Sequence, residues 1–85
     1  MSSSYDKNIT ENPLYWEGVE FANNLKPYIN LTQASRLSRL LAGEDVSGFN
    51  KLICSIVGNN NLQANKQQAL SICWVVGFQD TFFED

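Results

Sequence analysis

The chain has 85 residues, a mass of 9.6 kDa and a formal net charge of −3, with six Lys and Arg against nine Asp and Glu. It contains no histidine, which removes the commonest general base, the commonest metal ligand and every nucleophile that depends on a histidine partner. We therefore expect one small folded domain, with 44% apolar residues to form its core, that is not an enzyme and uses no cofactor or metal.

The chain begins with a polar segment, residues 1–11, that lacks periodicity and is expected to form a flexible arm. The first helix is predicted at residues 13–26, because Asn12 is a favourable N-cap and Pro13 suits the first helical position. Apolar side chains then recur at helical spacing until Pro27 ends the helix.

Two further helices are predicted at residues 32–42 and 46–57, each with an apolar stripe at helical spacing. Asn30 and Gln33 have the spacing of a capping box before the first of these helices, and Gly43 suits its C-terminal end. The helix predicted at residues 46–57 is followed by a run of three asparagines, which is typical of a loop.

The last segment joins a helix-forming stretch at residues 62–70 to a nearly all-apolar stretch at residues 71–78. Periodicity does not separate a buried helix from a buried strand in the second stretch, but the uninterrupted helix-forming prefix favours one helix. Its β-branched and aromatic residues leave a strand as the alternative. Residues 79–85 combine aromatic and acidic side chains and are predicted to form an acidic aromatic tail.

These elements predict an all-α fold, a compact four-helix single domain over residues 12–78 that is flanked by the arm and the tail. The alternative is an α+β fold with short strands at residues 52–57 and 71–77. The predicted core consists of Leu14, Phe21, Leu25, Leu37, Leu41, Phe49, Ile53, Ile56, Leu70, Cys73 and Trp74.

The segment from Leu31 to Leu52 resembles a helix-turn-helix of the bacterial and phage repressor type. It opens with Leu-Thr-Gln, has alanine and leucine on its first helix, and has a glycine in the turn before Val-Ser. The resemblance implies DNA binding as an alternative function. The nucleic-acid-binding residues would then be Lys26, Arg36, Arg39 and Lys51.

Two departures from that pattern count against DNA binding. Gly43 comes late in the turn, and Glu44 and Asp45 place acids where DNA phosphates would lie. The second helix offers only Asn50 and Lys51 as polar contacts, whereas a recognition helix needs several side chains that reach base edges. We therefore favour two amphipathic helices joined by a capped turn, and nucleic acid is not the expected partner.

Aromatic residues beside acidic ones indicate a protein-binding surface. Trp16 falls outside the apolar stripe of the first helix, and tryptophan is enriched at interface hot spots. Phe82 and Phe83 would anchor a partner while neighbouring acids steer a basic surface toward them. In the alternative interpretation, these aromatic side chains close the edge of the small core. The predicted partner-binding residues are Trp16, Glu17, Glu20, Asp80, Phe82, Phe83, Glu84 and Asp85.

A cytoplasmic location is expected from the absence of targeting and spanning segments. No stretch reaches the roughly 18 apolar residues that a membrane-spanning helix needs, and the polar N-terminus has no signal-peptide pattern. We expect no membrane contact, and the location is the host cytoplasm if the chain is viral. Cys54 and Cys73 lie in apolar segments and are expected to be buried reduced thiols, although their spacing also permits a disulfide.

The predicted function is a small acidic protein-binding module that acts stoichiometrically on a protein with a basic or nucleic-acid-binding surface. In size, acidity and lack of catalytic groups the chain is similar to phage-encoded inhibitors of host systems, including the anti-CRISPR type. That similarity is one of class, without a shared motif. The alternatives are a helix-turn-helix DNA-binding protein and a self-assembling structural subunit such as a homodimer, since association often stabilises a small core.

Overall fold

The computed structural model describes residues 7–58 and 62–83, with side chains from residue 9 onward. Within these ranges there are six α-helices: α1 (Lys7–Glu11), α2 (Pro13–Leu25), α3 (Leu31–Ala42), α4 (Val46–Val57), α5 (Lys66–Ala69) and α6 (Ile72–Phe83). A short 3₁₀ helix, Lys26–Tyr28, follows α2. The predicted all-α fold is confirmed, and the α+β alternative is wrong because the segments considered as strands lie in α4 and α6.

Side-chain caps begin the three helices that the sequence predicted most closely. The Asn12 side chain accepts a hydrogen bond from the backbone N–H of Leu14 at 2.9 Å. Asn30 accepts from the N–H of Gln33 at 2.8 Å, and the Gln33 side chain accepts from the N–H of Asn30 at 2.9 Å, which completes a capping box. Asp45 caps α4 in the same way. Because these caps are local, the bounds of α2, α3 and α4 lie within one residue of the prediction.

The last segment forms two helices instead of the single helix predicted from residue 62 to residue 78. The Asn65 side chain accepts from the N–H of Gln67 at 2.8 Å and begins α5. A tight turn follows, and the Ser71 carbonyl then accepts from the N–H of Val75 at 3.0 Å as α6 begins. The chain therefore leaves helical geometry at Leu70 and Ser71, and a separate helix begins at Ile72.

Helices also occupy parts of the segments predicted as arm and tail. Residues 7–11 form α1, and residues 79–83 continue α6 without interruption. The end of α6 stays attached because Phe82 packs against the core, 5.2 Å from the ring centroid of Phe78. The rest of both segments lies outside the described residues.

The core is organised around a close crossing of α2 and α6, which run antiparallel. A Cβ atom added at Gly18 would collide with the carbonyl oxygen of Trp74, and one added at Gly77 would collide with the carbonyl oxygen of Tyr15. The two helices therefore touch through their backbones at two positions one helical turn apart. Only glycine permits an approach this close.

Four aromatic rings pack beside this crossing and join a third helix to it. Trp74 and Phe78 stack along α6 with centroids 5.7 Å apart and planes at 12°. Phe49 of α4 meets these rings at 6.1 and 5.5 Å, and Phe21 of α2 lies 5.2 Å from Trp74. Aromatic rings bury large areas, so this cluster supplies much of the core of a small domain.

Most of the predicted core is confirmed. The predicted residues that are buried are Leu25, Leu37, Leu41, Phe49, Ile53 and Trp74. Leu14 and Phe21 pack against the edge of the core, while Ile56 and Cys73 are partly buried. Leu70 is exposed, because it lies in the turn between α5 and α6. Buried apolar residues outside that predicted core include Tyr15, Ala22, Ala34, Val46, Ala64, Ala69, Val76 and Phe78.

No helix in the described ranges has the combination of length and apolar character that a membrane span requires.

The close crossing of α2 and α6 predicts that one added methyl group at either glycine strongly lowers the stability of the fold. We expect Gly18→Ala and Gly77→Ala each to lower the free energy of unfolding by about 3 kcal/mol, because the methyl group would strike backbone atoms that have no freedom to rotate away. Helix propensity alone would raise stability by about 1 kcal/mol in both variants, so the sign of the change tests the contact. Urea unfolding followed by circular dichroism measures it.

Gly43→Ala is the matched control, because the nearest atom to its added Cβ would lie at 3.6 Å, an ordinary contact distance. Its free energy of unfolding should change by less than about 0.5 kcal/mol. A stabilised Gly18→Ala or Gly77→Ala variant would show that the two helices do not approach this closely in solution.

Candidate protein-binding surface

The outer face of α2 carries three of the residues predicted to bind a partner. Trp16, Glu17 and Glu20 are all exposed, and we call them the acidic aromatic face. The helical period of 3.6 residues turns them away from the core. The opposite side of α2 is buried through Tyr15, Gly18, Ala22 and Leu25.

Trp16 is held in place although it is 58% exposed. Its indole N–H donates a hydrogen bond to the carbonyl oxygen of Thr10 at 2.8 Å. Its ring also meets the ring of Tyr15 edge-on, with centroids 4.9 Å apart and planes at 86°. The short helix α1 therefore orients the indole, and a side chain fixed before binding loses less entropy when a partner covers it.

The two carboxylates of this face differ in their surroundings. Glu17 accepts a hydrogen bond from the side-chain amide of Gln68, which connects α2 to α5. Glu20 is exposed and has no partner among the described residues. A groove beside these carboxylates also has Phe21, Asn24, Gln68 and Trp74 in its lining, so carboxylate, amide and aromatic groups share it.

A second, shallow groove lies on the other side of α2, where Trp16 and Asp80 line the same depression. Asp80 is only 8% exposed, and its carboxyl group accepts a hydrogen bond from the Tyr15 hydroxyl at 2.9 Å. Asp80 was expected to steer a partner from a solvated tail. It instead joins α2 to α6 inside the fold, because α6 continues through residues 79–83.

The predicted aromatic anchors of the tail have different environments. Phe82 packs against the core, as the alternative interpretation held. Phe83 is exposed at the last position of α6, and α6 contacts α1, the helix that orients Trp16. Glu84 and Asp85 lie outside the described residues, so their role stays a prediction.

The basic residues of the DNA-binding alternative are all exposed: Lys26, Arg36, Arg39 and Lys51. The side chain of Asn50, next to Lys51, forms hydrogen bonds within the fold. Asn50 accepts from the N–H of Ala64 at 2.8 Å and donates to the carbonyl of Ala64 at 3.1 Å. This pair of hydrogen bonds secures the segment before α5. Asn50 is therefore unavailable to a base edge, and α4 offers fewer reading contacts than its sequence suggested.

The cysteines do not form a disulfide with each other, and both are partly buried rather than part of the core. Across residues 7–58 and 62–83, no three cysteine or carboxylate side chains are grouped so that they would hold a metal ion.

The residues that position Trp16 were not identified from the sequence. Thr10 acts through its backbone carbonyl, which leaves no trace in residue type. Tyr15 lies beside Trp16, but its role depends on the distant Asp80. The spacing of Trp16 from the apolar stripe left an exposed anchor and a cover at the core edge as alternatives, and the structure shows an exposed side chain in a fixed orientation.

Comparison with protein-family models, curated proteins and solved structures finds no match to this chain. The function proposed below therefore depends on the chemistry of the described surfaces.

The contact between Tyr15 and Asp80 predicts a stability effect. Tyr15→Phe should lower the free energy of unfolding by about 1–2 kcal/mol, because a buried carboxyl group loses a hydrogen-bond donor while the packed ring is kept. Chemical unfolding measures this change. Tyr28→Phe is the matched control, since Tyr28 is 56% exposed and its substitution should cost less than about 0.5 kcal/mol. Equal stability of the two variants would contradict a buried bond.

The hydrogen bonds between Asn50 and Ala64 predict that the segment before α5 opens when the Asn50 side chain is removed. Asn50→Ala should lower the free energy of unfolding by about 1–3 kcal/mol and speed hydrogen exchange at the Ala64 amide. Asn50→Asp keeps the acceptor for the Ala64 N–H but places a carboxylate oxygen against the Ala64 carbonyl oxygen, so its loss at neutral pH should be at least as large as that of Asn50→Ala. Lys51→Ala, an exposed change on the same helix, is the control. Unchanged exchange at Ala64 in Asn50→Ala would argue against the anchoring role.

Proposed function

We propose that this chain is a small acidic protein-binding module, which acts stoichiometrically by placing its acidic aromatic face on a basic surface of a partner protein. The observation that carries the proposal is Trp16, an indole that is largely exposed yet fixed by Thr10 and Tyr15. The same contacts hold α1 against α2, and in an interface they also supply a rigid apolar anchor.

The carboxylates beside Trp16 supply the second part of the argument. Glu17 and Glu20 lie on the same helix as the indole, and α2 has no lysine or arginine to neutralise them. Their field attracts a basic surface and raises the rate of encounter, while burial of the indole slows dissociation. The face therefore fits a partner that presents lysine or arginine around an apolar pocket.

An inhibitor is the specific form of this proposal. A module that covers a basic or nucleic-acid-binding surface of a larger host protein blocks that surface by occupancy, without chemistry of its own. The small size and acidity of the chain suit such a role, and in these properties it is similar in class to phage inhibitors of the anti-CRISPR type. Its site of action would be the cytoplasm of the host.

DNA binding has less support than protein binding. The exposed arginines of α3 favour it, but Asn50 is occupied by Ala64. The acids Glu44 and Asp45 lie in the turn between α3 and α4, where they would repel phosphates. These features together favour the acidic aromatic face as the binding surface.

The acidic aromatic face is tested by capture of proteins from a host-cell lysate on the immobilised chain. We expect Trp16→Ala to weaken the captured complex by about 30-fold or more, the usual effect of removing a tryptophan hot spot. Glu17→Lys/Glu20→Lys should also lose the complex, mainly through slower association. Surface plasmon resonance with the captured protein measures both effects.

The matched control is Tyr28→Ala, which removes an aromatic side chain of nearly equal exposure, 56% against 58%, from another part of the surface. It should bind as the unchanged chain does. Urea unfolding of each variant separates lost binding from lost folding. Capture of nothing by the unchanged chain, or full binding by a folded Trp16→Ala variant, would exclude the proposed surface.

A further inference from the structure

Charges of opposite sign are separated onto two helices that follow one another in the chain. Glu17 and Glu20 are the charged residues of α2, while Arg36 and Arg39 are the charged residues of α3. Both arginines are exposed, and no carboxylate in the described part of the chain pairs with either of them. The protein therefore presents an acidic face on α2 and a basic face on α3, which we define as Arg36 and Arg39.

The two faces match in spacing as well as in sign. Glu17 and Glu20 are three residues apart on one helix, and so are Arg36 and Arg39 on the other. Residues at this spacing lie about 5–6 Å apart along a helix surface. A helix pair formed between two molecules would therefore allow both carboxylates to meet both guanidinium groups at once.

The acidic aromatic face also has an exposed indole, since Trp16 is 58% exposed. An arginine guanidinium binds favourably over the face of an indole ring. Charge pairing alone would be weak in water, so this cation–π contact is needed for association.

From this complementarity we infer that the basic face of a second copy of this chain is an occupant of the acidic aromatic face. The inference depends on the proposed function, because it uses the same α2 surface. The contact is heterologous, so one copy supplies α2 and the next copy supplies α3. Self-association then hides Trp16 and competes with any other protein that binds there.

Sedimentation equilibrium at low salt tests the inference. The average mass should rise above the monomer value of 9.6 kDa as the concentration approaches about 1 mM, and should return to that value in about 0.5 M NaCl, where exposed charges are screened. Glu17→Lys/Glu20→Lys and Arg36→Glu/Arg39→Glu should each abolish the rise, because each variant has lost one of the two complementary faces.

Mixing the two variants is the decisive step. Each retains a face that the other needs, so an equimolar mixture should regain association. Lys51→Glu/Lys66→Glu is the matched control, since it changes the net charge as much as the α3 variant does while leaving both faces intact. It should associate on its own as the unchanged chain does.

Several results would overturn the inference. A mass of 9.6 kDa at every concentration would do so, as would association that survives in Arg36→Glu/Arg39→Glu. Binding of duplex DNA by the arginines, without self-association, would assign the basic face to nucleic acid instead. The proposed function is judged separately, because loss of partner capture in Trp16→Ala does not depend on the oligomeric state.

Discussion

The backbone contact between α2 and α6 at Gly18 and Gly77 is the constraint on which the rest of the structure depends. Because no side chain separates the helices there, their flanking residues are brought within reach of one another. The rings of Phe21, Trp74 and Phe78 then close into a single cluster, which Phe49 extends to α4. A chain of this length has a small core, and a close crossing lets few side chains fill it.

The same crossing determines the surface that is free to bind. With Gly18 against α6, the helical period places Trp16 and Glu20 on the outer side of α2. Tyr15, on the inner edge, can then donate to Asp80 and support the Trp16 ring at once. The oriented indole is therefore a consequence of how α2 packs, with α1 adding the last hydrogen bond.

Local chemistry explains which parts of the fold were predictable. Caps at Asn12, Asn30 and Asp45 act within three residues of themselves, so α2, α3 and α4 were predicted closely. The break before α6 was missed because the helix-forming stretch continues into the apolar stretch with no proline or glycine at the turn. Asp80 was misplaced for a different reason, since an acid near a chain end is usually solvated, and its burial depends on Tyr15, 65 positions earlier.

By itself, the sequence determined the helical class, the caps, the separation of acidic from basic segments and the lack of histidine chemistry. These properties follow from residue type and short-range spacing. Only the tertiary structure decided the structural role of each glycine. Gly58 ends α4 with a φ of 84°, whereas Gly77 lies inside α6 against α2. Both follow apolar runs, and the asparagines after Gly58 predicted a helix end there, but no residue near Gly77 indicated that another helix packs against it. The role of Gly58 follows from the left-handed conformation of its own backbone. The role of Gly77 depends on α2, the helix whose backbone lies against it.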